Sequence, residues 1–119
     1  MLFRSQALHL DAAWSAGQPF GQRLVNSMYT LSSMVGASVS QLTQGTLVAN
    51  LGFSDVGFPA PVFLGDTLYF ETTIENKRLS TSREGQGIVT MTHRALNQDG
   101  VLVASTGRSA LMWCVGARP

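Results

Sequence analysis

Residues 26–42 form the one stretch of this sequence long and periodic enough for a substantial helix, and everything after them is strand-like. Met28, Leu31, Met34, Val35, Val39 and Leu42 recur at spacings of three, four and seven, which gives a helix one apolar stripe. The positions between them are small: Ser27, Ser32, Ser33, Gly36, Ala37 and Ser38. Neighbouring backbone can therefore approach such a helix closely from more than one side, which suits enclosure by a sheet. Asn26 and Ser27 are good N-cap types, and the first turn of any helix leaves backbone N–H groups free to stabilise negative charge.

After the helix the period changes to two. Leu47, Ala49, Leu51 and Phe53 alternate, and a register change near Ser54 and Asp55 precedes Val56 and Phe58, so one long strand with a bulge is expected. Phe58-Pro59-Ala60-Pro61 cannot continue a ladder, because two prolines remove donors, and Gly65-Asp66 supplies a turn. A second strand begins at Leu68, with Phe70, Thr72 and Ile74 on one face and Tyr69, Glu71, Thr73 and Glu75 on the other. Residues 78–86 read as a polar loop, residues 87–96 as a third strand, Asn97-Gln98-Asp99-Gly100 as a hairpin turn and residues 101–113 as a fourth strand. One helix against four antiparallel strands is an α+β architecture, and 119 residues without a change in composition form a single domain, residues 1–119.

Composition narrows the partners. Charged residues are only 13% of the chain against 45% apolar, sparse for a monomer's surface, which favours buried subunit contacts. Eight basic against seven acidic residues leave a net charge of +1 and no basic field for nucleic acid or an anionic membrane. No apolar run approaches the roughly 20 residues of a membrane span. The single cysteine, Cys114, has no partner for an internal disulfide, and no Cys/His cluster has zinc spacing, so a cytoplasmic, metal-free protein is expected.

Three stretches, in order, resemble the MaoC-like dehydratase family: Leu8-His9-Leu10-Asp11, then Phe20-Gly21-Gln22-Arg23-Leu24-Val25-Asn26-Ser27, then Pro61-Val62-Phe63-Leu64-Gly65-Asp66-Thr67-Leu68. The resemblance as a whole spans nearly the whole chain. Leu24-Val25-Asn26-Ser27, Ala49-Asn50-Leu51-Gly52 and Asn97-Gln98-Asp99-Gly100 further resemble the branch of mesaconyl-CoA hydratase-like or methylmalyl-CoA dehydratase-like proteins. The resemblance implies a hot-dog fold, a long central helix wrapped by a curved antiparallel sheet, and a homodimer built by edge pairing. It implies a lyase of the acyl-CoA dehydratase or enoyl-CoA hydratase type, taking an acyl-CoA or acyl-carrier thioester as substrate and needing no cofactor.

In that family an Asp and a His on the motif D-x-N-P-x-H-x-D jointly position one water. His9 falls on the His, a residue type that exchanges protons near neutral pH. The helix start, Asn26, Ser27 and Met28, falls where backbone N–H groups meet the thioester oxygen as enolate charge develops. The motif's Asp, Asn and Pro fall on Arg4, Gln6 and Ala7, and an arginine cannot accept a proton as a carboxylate does. Family members also carry a strand ahead of the motif, so the sequence reads as N-terminally truncated with a non-native leader. Two alternatives follow: a non-catalytic acyl-thioester-binding or partner subunit that has lost the Asp, and a hot-dog thioesterase. The thioesterases' acidic residue on the central helix is absent, with Ser32 and Ser33 in its place.

The remaining polar residues have blander readings. Asp11 could orient His9 but is expected to bond the local backbone, and Gly65 and Asp66 form a structural strand-entry turn. Arg78 and Arg83 flank a loop that could meet CoA phosphates, His93 is expected to be structural, and Trp14 and Trp113 are expected to anchor core or interface. Phe53, Phe58, Phe63 and Met28 are the candidate walls of the acyl pocket.

Overall fold

A computed structural model of the chain describes residues 6–119. Two short helices, α1 (Ala7–Leu10) and α2 (Ala12–Ala16), precede the main helix α3 (Ser27–Ala37), and strands β1 (Leu47–Gly57), β2 (Tyr69–Leu79), β3 (Gln86–Leu96) and β4 (Leu102–Trp113) follow. The expected single helix to residue 42 ends earlier. α3 stops at Ala37 and a π-helical turn, Val39–Thr43, continues the path. The Ser38 hydroxyl donates to the Val35 carbonyl at 2.6 Å, offering the backbone a competing bond where the α-ladder is left. Nor is residues 78–86 all loop, since β2 pairs with β3 as far as Leu79 opposite Gly87.

The sheet is antiparallel in the order β1-β4-β3-β2. β1 is irregular against β4, with three register shifts, one of them between Ser54 and Gly57 where Asp55 takes a positive φ of 50°. The bulge expected at Ser54 and Asp55 is there. The hairpin at residues 97–100 closes with Asn97 Oδ1 accepting from the N–H groups of Asp99 and Val101, and with Gly100 at φ 74°.

α3 lies on one face of this sheet. Ala95 and Ala104 are cross-strand partners, both fully buried, and their small side chains let Met34 of α3 seat against the strands with Val62 and Val103. Leu31, Leu68 and Phe70 pack around that cluster. The buried face centres on Thr30, Met34 and the C-cap Ser38, not on the whole expected stripe: Met28 is 60% exposed and Val39 39%. The small Ala95 and Ala104 on the strands make room for Met34, while Met28 and Tyr29 at the start of the helix turn outward.

Candidate active site

His9 sits in a segment that sequence periodicity does not reveal, the two short helices α1 and α2. Their apolar side chains Leu10 and Trp14 are exposed, so hydrogen bonds and not burial fix the segment. Asp11 caps α2, its Oδ1 accepting from the Trp14 N–H at 2.9 Å. That is the local backbone role expected of it. The Leu24 N–H donates to the Leu8 carbonyl at 3.1 Å, and one residue along the His9 Nδ1 lies 2.8 Å from the Leu24 carbonyl. A carbonyl oxygen only accepts, so Nδ1 carries a proton, and in the neutral ring Nε2 presents its lone pair. Leu24 is in turn held by an antiparallel bridge to Phe63 and by the adjacent bond from the Val25 N–H to the Val62 carbonyl, 2.8 Å.

The start of α3 is close by. Asn26 is the N-cap, with its Oδ1 accepting from the Met28 N–H at 2.9 Å. The Met28 N–H, one of the expected oxyanion donors, is therefore engaged by the cap. Ser27 holds the first helical position, where a backbone N–H has no carbonyl to meet within the helix. His9 and Ser27 both line a cavity of about 440 Å³ whose other walls include Leu8, Phe20, Leu24, Val25, Thr30, Val103 and the run Phe58, Pro59, Ala60, Pro61 and Val62. On its other side His9 borders an open groove with Asn26, Met28, Tyr29, Ser32 and Leu64. The imidazole thus stands between a largely apolar chamber and a surface channel.

Of the expected acyl-pocket residues, Phe58 lines the chamber and Met28 the groove, while Phe53 lies on β1 and lines neither. Phe63 instead supports Phe20 edge-on, with ring centroids 6.3 Å apart. The rest of that wall, Pro59, Ala60, Pro61 and Val62, was not anticipated as a site element, although a signal was present: two prolines keep this segment out of the ladder and free its backbone to line a cavity. Val103 carried no such signal, since only the pairing of β3 with β4 turns it inward.

Gly65 (φ 96°) and Asp66 form the expected turn before β2. Asp66 Oδ2 accepts from the Phe63 N–H at 2.9 Å, and Oδ1 accepts from Gln98 Nε2 at 3.0 Å, tying the turn to the β3–β4 hairpin. Arg78 lines a separate hollow with Lys77, Leu79, Trp113 and Cys114, away from the His9 chamber, and Arg83 lies between β2 and β3. His93 is fully buried on the sheet, with Nδ1 2.8 Å from Thr72 Oγ1. Arg4 lies outside the described residues. Among the described residues no three His, Cys, Asp or Glu side chains converge as a metal site, and no helix is long and apolar enough to cross a membrane.

Comparison with known proteins gives the chain's family. The family described as MaoC like domain matches residues 3–96. The (R)-specific enoyl-CoA hydratase of Aeromonas caviae is 34% identical over 104 residues, 87% of this chain and 72% of that protein. A MaoC-like dehydratase from Rhodospirillum rubrum superposes with a TM-score of 0.80 at 28% identity, covering 96% of this chain and 76% of its own. A Mycobacterium tuberculosis protein with a double hotdog fold matches at TM-score 0.79 and 23% identity, over 92% of this chain and 34% of that one, a likeness of fold.

Proposed function

Because the chain belongs to the MaoC-like domain family, we propose that it adds water reversibly to the double bond of an enoyl-CoA thioester, with His9 as general acid and base. One observation carries the proposal: His9 and Ser27 border the same apolar-walled chamber, so a proton acceptor and a helix N-terminus address one substrate volume. In the forward direction a water gives a proton to His9 Nε2 while its oxygen bonds the β-carbon. The π electrons of the alkene move towards the thioester carbonyl, and the enolate oxygen meets the Ser27 N–H. His9 Nε2 then returns its proton to the α-carbon and the carbonyl re-forms. One imidazole serves both transfers here, since Arg4 stands at the family's Asp position. The thioester and water are the only reactants, and no cofactor enters the steps. The active form of the protein is a homodimer, and the lone Cys114 without a disulfide partner supports a cytoplasmic location.

The purified chain, offered crotonyl-CoA, mesaconyl-CoA and longer enoyl-CoAs, is expected to consume them, and His9→Ala to lower kcat by about 10²- to 10⁴-fold. Absence of turnover above background with every thioester rejects the proposal. Arg4 favours a second reading, a partner subunit that binds the thioester without turning it over, and calorimetry showing CoA-ester binding by an inactive chain selects it.

A further inference from the structure

Ser15 is the one buried residue of α1 and α2, and it is a polar one with no exposed surface. Its hydroxyl lies 3.4 Å from the Ala7 carbonyl and 3.3 Å from the Leu8 carbonyl, the long distances of a single donor shared between two acceptors. Ala7 and Leu8 are the two residues immediately before His9. The Leu8 carbonyl also receives the Leu24 N–H, and the Leu24 carbonyl receives the His9 Nδ1–H. The chain of contacts runs without a gap from the Ser15 hydroxyl through Leu8 and Leu24 to the imidazole.

We infer that Ser15 is a positioning residue for His9, holding the α1 turn against Leu24 so that Nδ1 stays bonded to the Leu24 carbonyl and Nε2 faces the chamber. The inference rests on the hydratase reading for its kinetic consequence, though not for its geometric one. With Leu10 and Trp14 turned outward, little apolar packing holds the segment in place, and the orientation of the ring follows from these few hydrogen bonds. Removing the Ser15 hydroxyl leaves Leu8 with one donor fewer and frees the turn to shift relative to α3. A shift of that kind moves the reacting nitrogen and displaces only Leu8 and His9 among the chamber walls, so it acts more strongly on kcat than on KM.

Two measurements on Ser15→Ala test this. With an enoyl-CoA that the wild type hydrates, kcat is expected to fall about tenfold and KM to stay within about twofold, the size of effect that one lost orienting hydrogen bond produces. Ser15→Thr, which keeps the hydroxyl, is expected to recover most of the loss. Independently of turnover, ¹⁵N NMR of the imidazoles reads the tautomer. The chain has only two histidines, so His9→Ala assigns the His9 signal. The wild type is expected to show a single Nδ1–H tautomer and Ser15→Ala a mixture. A wild type inactive with every enoyl-CoA overturns the hydratase reading and leaves the NMR test of Ser15 standing. An active wild type matched by Ser15→Ala in both kcat and ring spectrum overturns the Ser15 inference alone, as does a loss of activity that merely tracks a loss of folded protein.

Discussion

His93 and Arg108 are an unusual pair to find on the inner face of a sheet. His93 is fully buried and Arg108 is 2% exposed, and neither faces a carboxylate partner among the described salt bridges. Burial, and secondarily the Arg108 charge, hold the His93 pKa below its ordinary value, so the folded chain prefers the neutral ring. The sign of the consequence follows from proton counting. Below the unfolded histidine value of 6.5 the unfolded chain binds a proton that the folded chain resists, so stability is fully present above that pH and is lost as pH falls towards the folded value. Urea denaturation at about pH 7.5 and about pH 5 is expected to show a smaller pH-dependent loss in His93→Gln than in the wild type, whatever the variant's stability at neutral pH. An equal loss in both proteins would show that His93 does not titrate in this way.

At the scale of elements, β1 and β4 are joined by a side-chain bond as well as by their ladder. Arg108 of β4 donates from Nε to Asn50 Oδ1 at 2.9 Å and again from Nη2, while its buried Nη1 has no partner among the described residues. Asn50 is thus the side-chain acceptor that compensates a buried cation. Asn50→Ala is expected to destabilise by about 1–3 kcal/mol, because it strands the guanidinium. Adding Arg108→Met should recover most of that loss, since a charge that is not buried needs no acceptor. Thermal melts of the two single variants and the double variant read the coupling, and additive losses would contradict it. No spacing or motif marks Asn50 and Arg108 as a pair. Arg108 alternates with Thr106 and Ala110 along β4, and only the register that opposes it to the buried Met91 shows that this face is the inner one.

For the molecule as a whole, the radius of gyration is 17.6 Å with extents of 56 × 38 × 22 Å, against about 13–14 Å for a compact domain of this length. The chain is a sheet with a helix on it, not a closed globule. Large apolar side chains stay exposed along β1 and at the start of α3, with Leu51 at 52%, Phe53 at 44%, Val56 at 44% and Met28 at 60%. β1 is also an edge strand, with its outer ladder groups unpaired within the described sheet. A second copy pairing there would cover both features, which supports the proposed homodimer. Light scattering is expected to give twice the chain mass. Phe53→Asp, which puts a charge into that surface, is expected to shift the protein towards monomer, and a wild-type monomer at micromolar concentration would refute the assembly.

The sequence by itself determined the α+β class, the four strands, the bulge at Ser54 and Asp55, both turns at Gly65 and Gly100, and the family, because these rest on short-range periodicity, glycine conformations and local motifs. It also singled out His9 as a candidate acid and base, through the first of the three motif stretches, which needs no contacts to read. What tertiary structure decided was which side of each element is inside. The buried helix face is Thr30, Met34 and Ser38, set by how closely a backbone can approach Ala95 and Ala104, and a hydropathy stripe cannot weigh that distance. The same holds for His9. Its ring orientation depends on a carbonyl 15 residues away, and backbone groups are identical in every residue, so no letter of the sequence marks the one that will receive the bond.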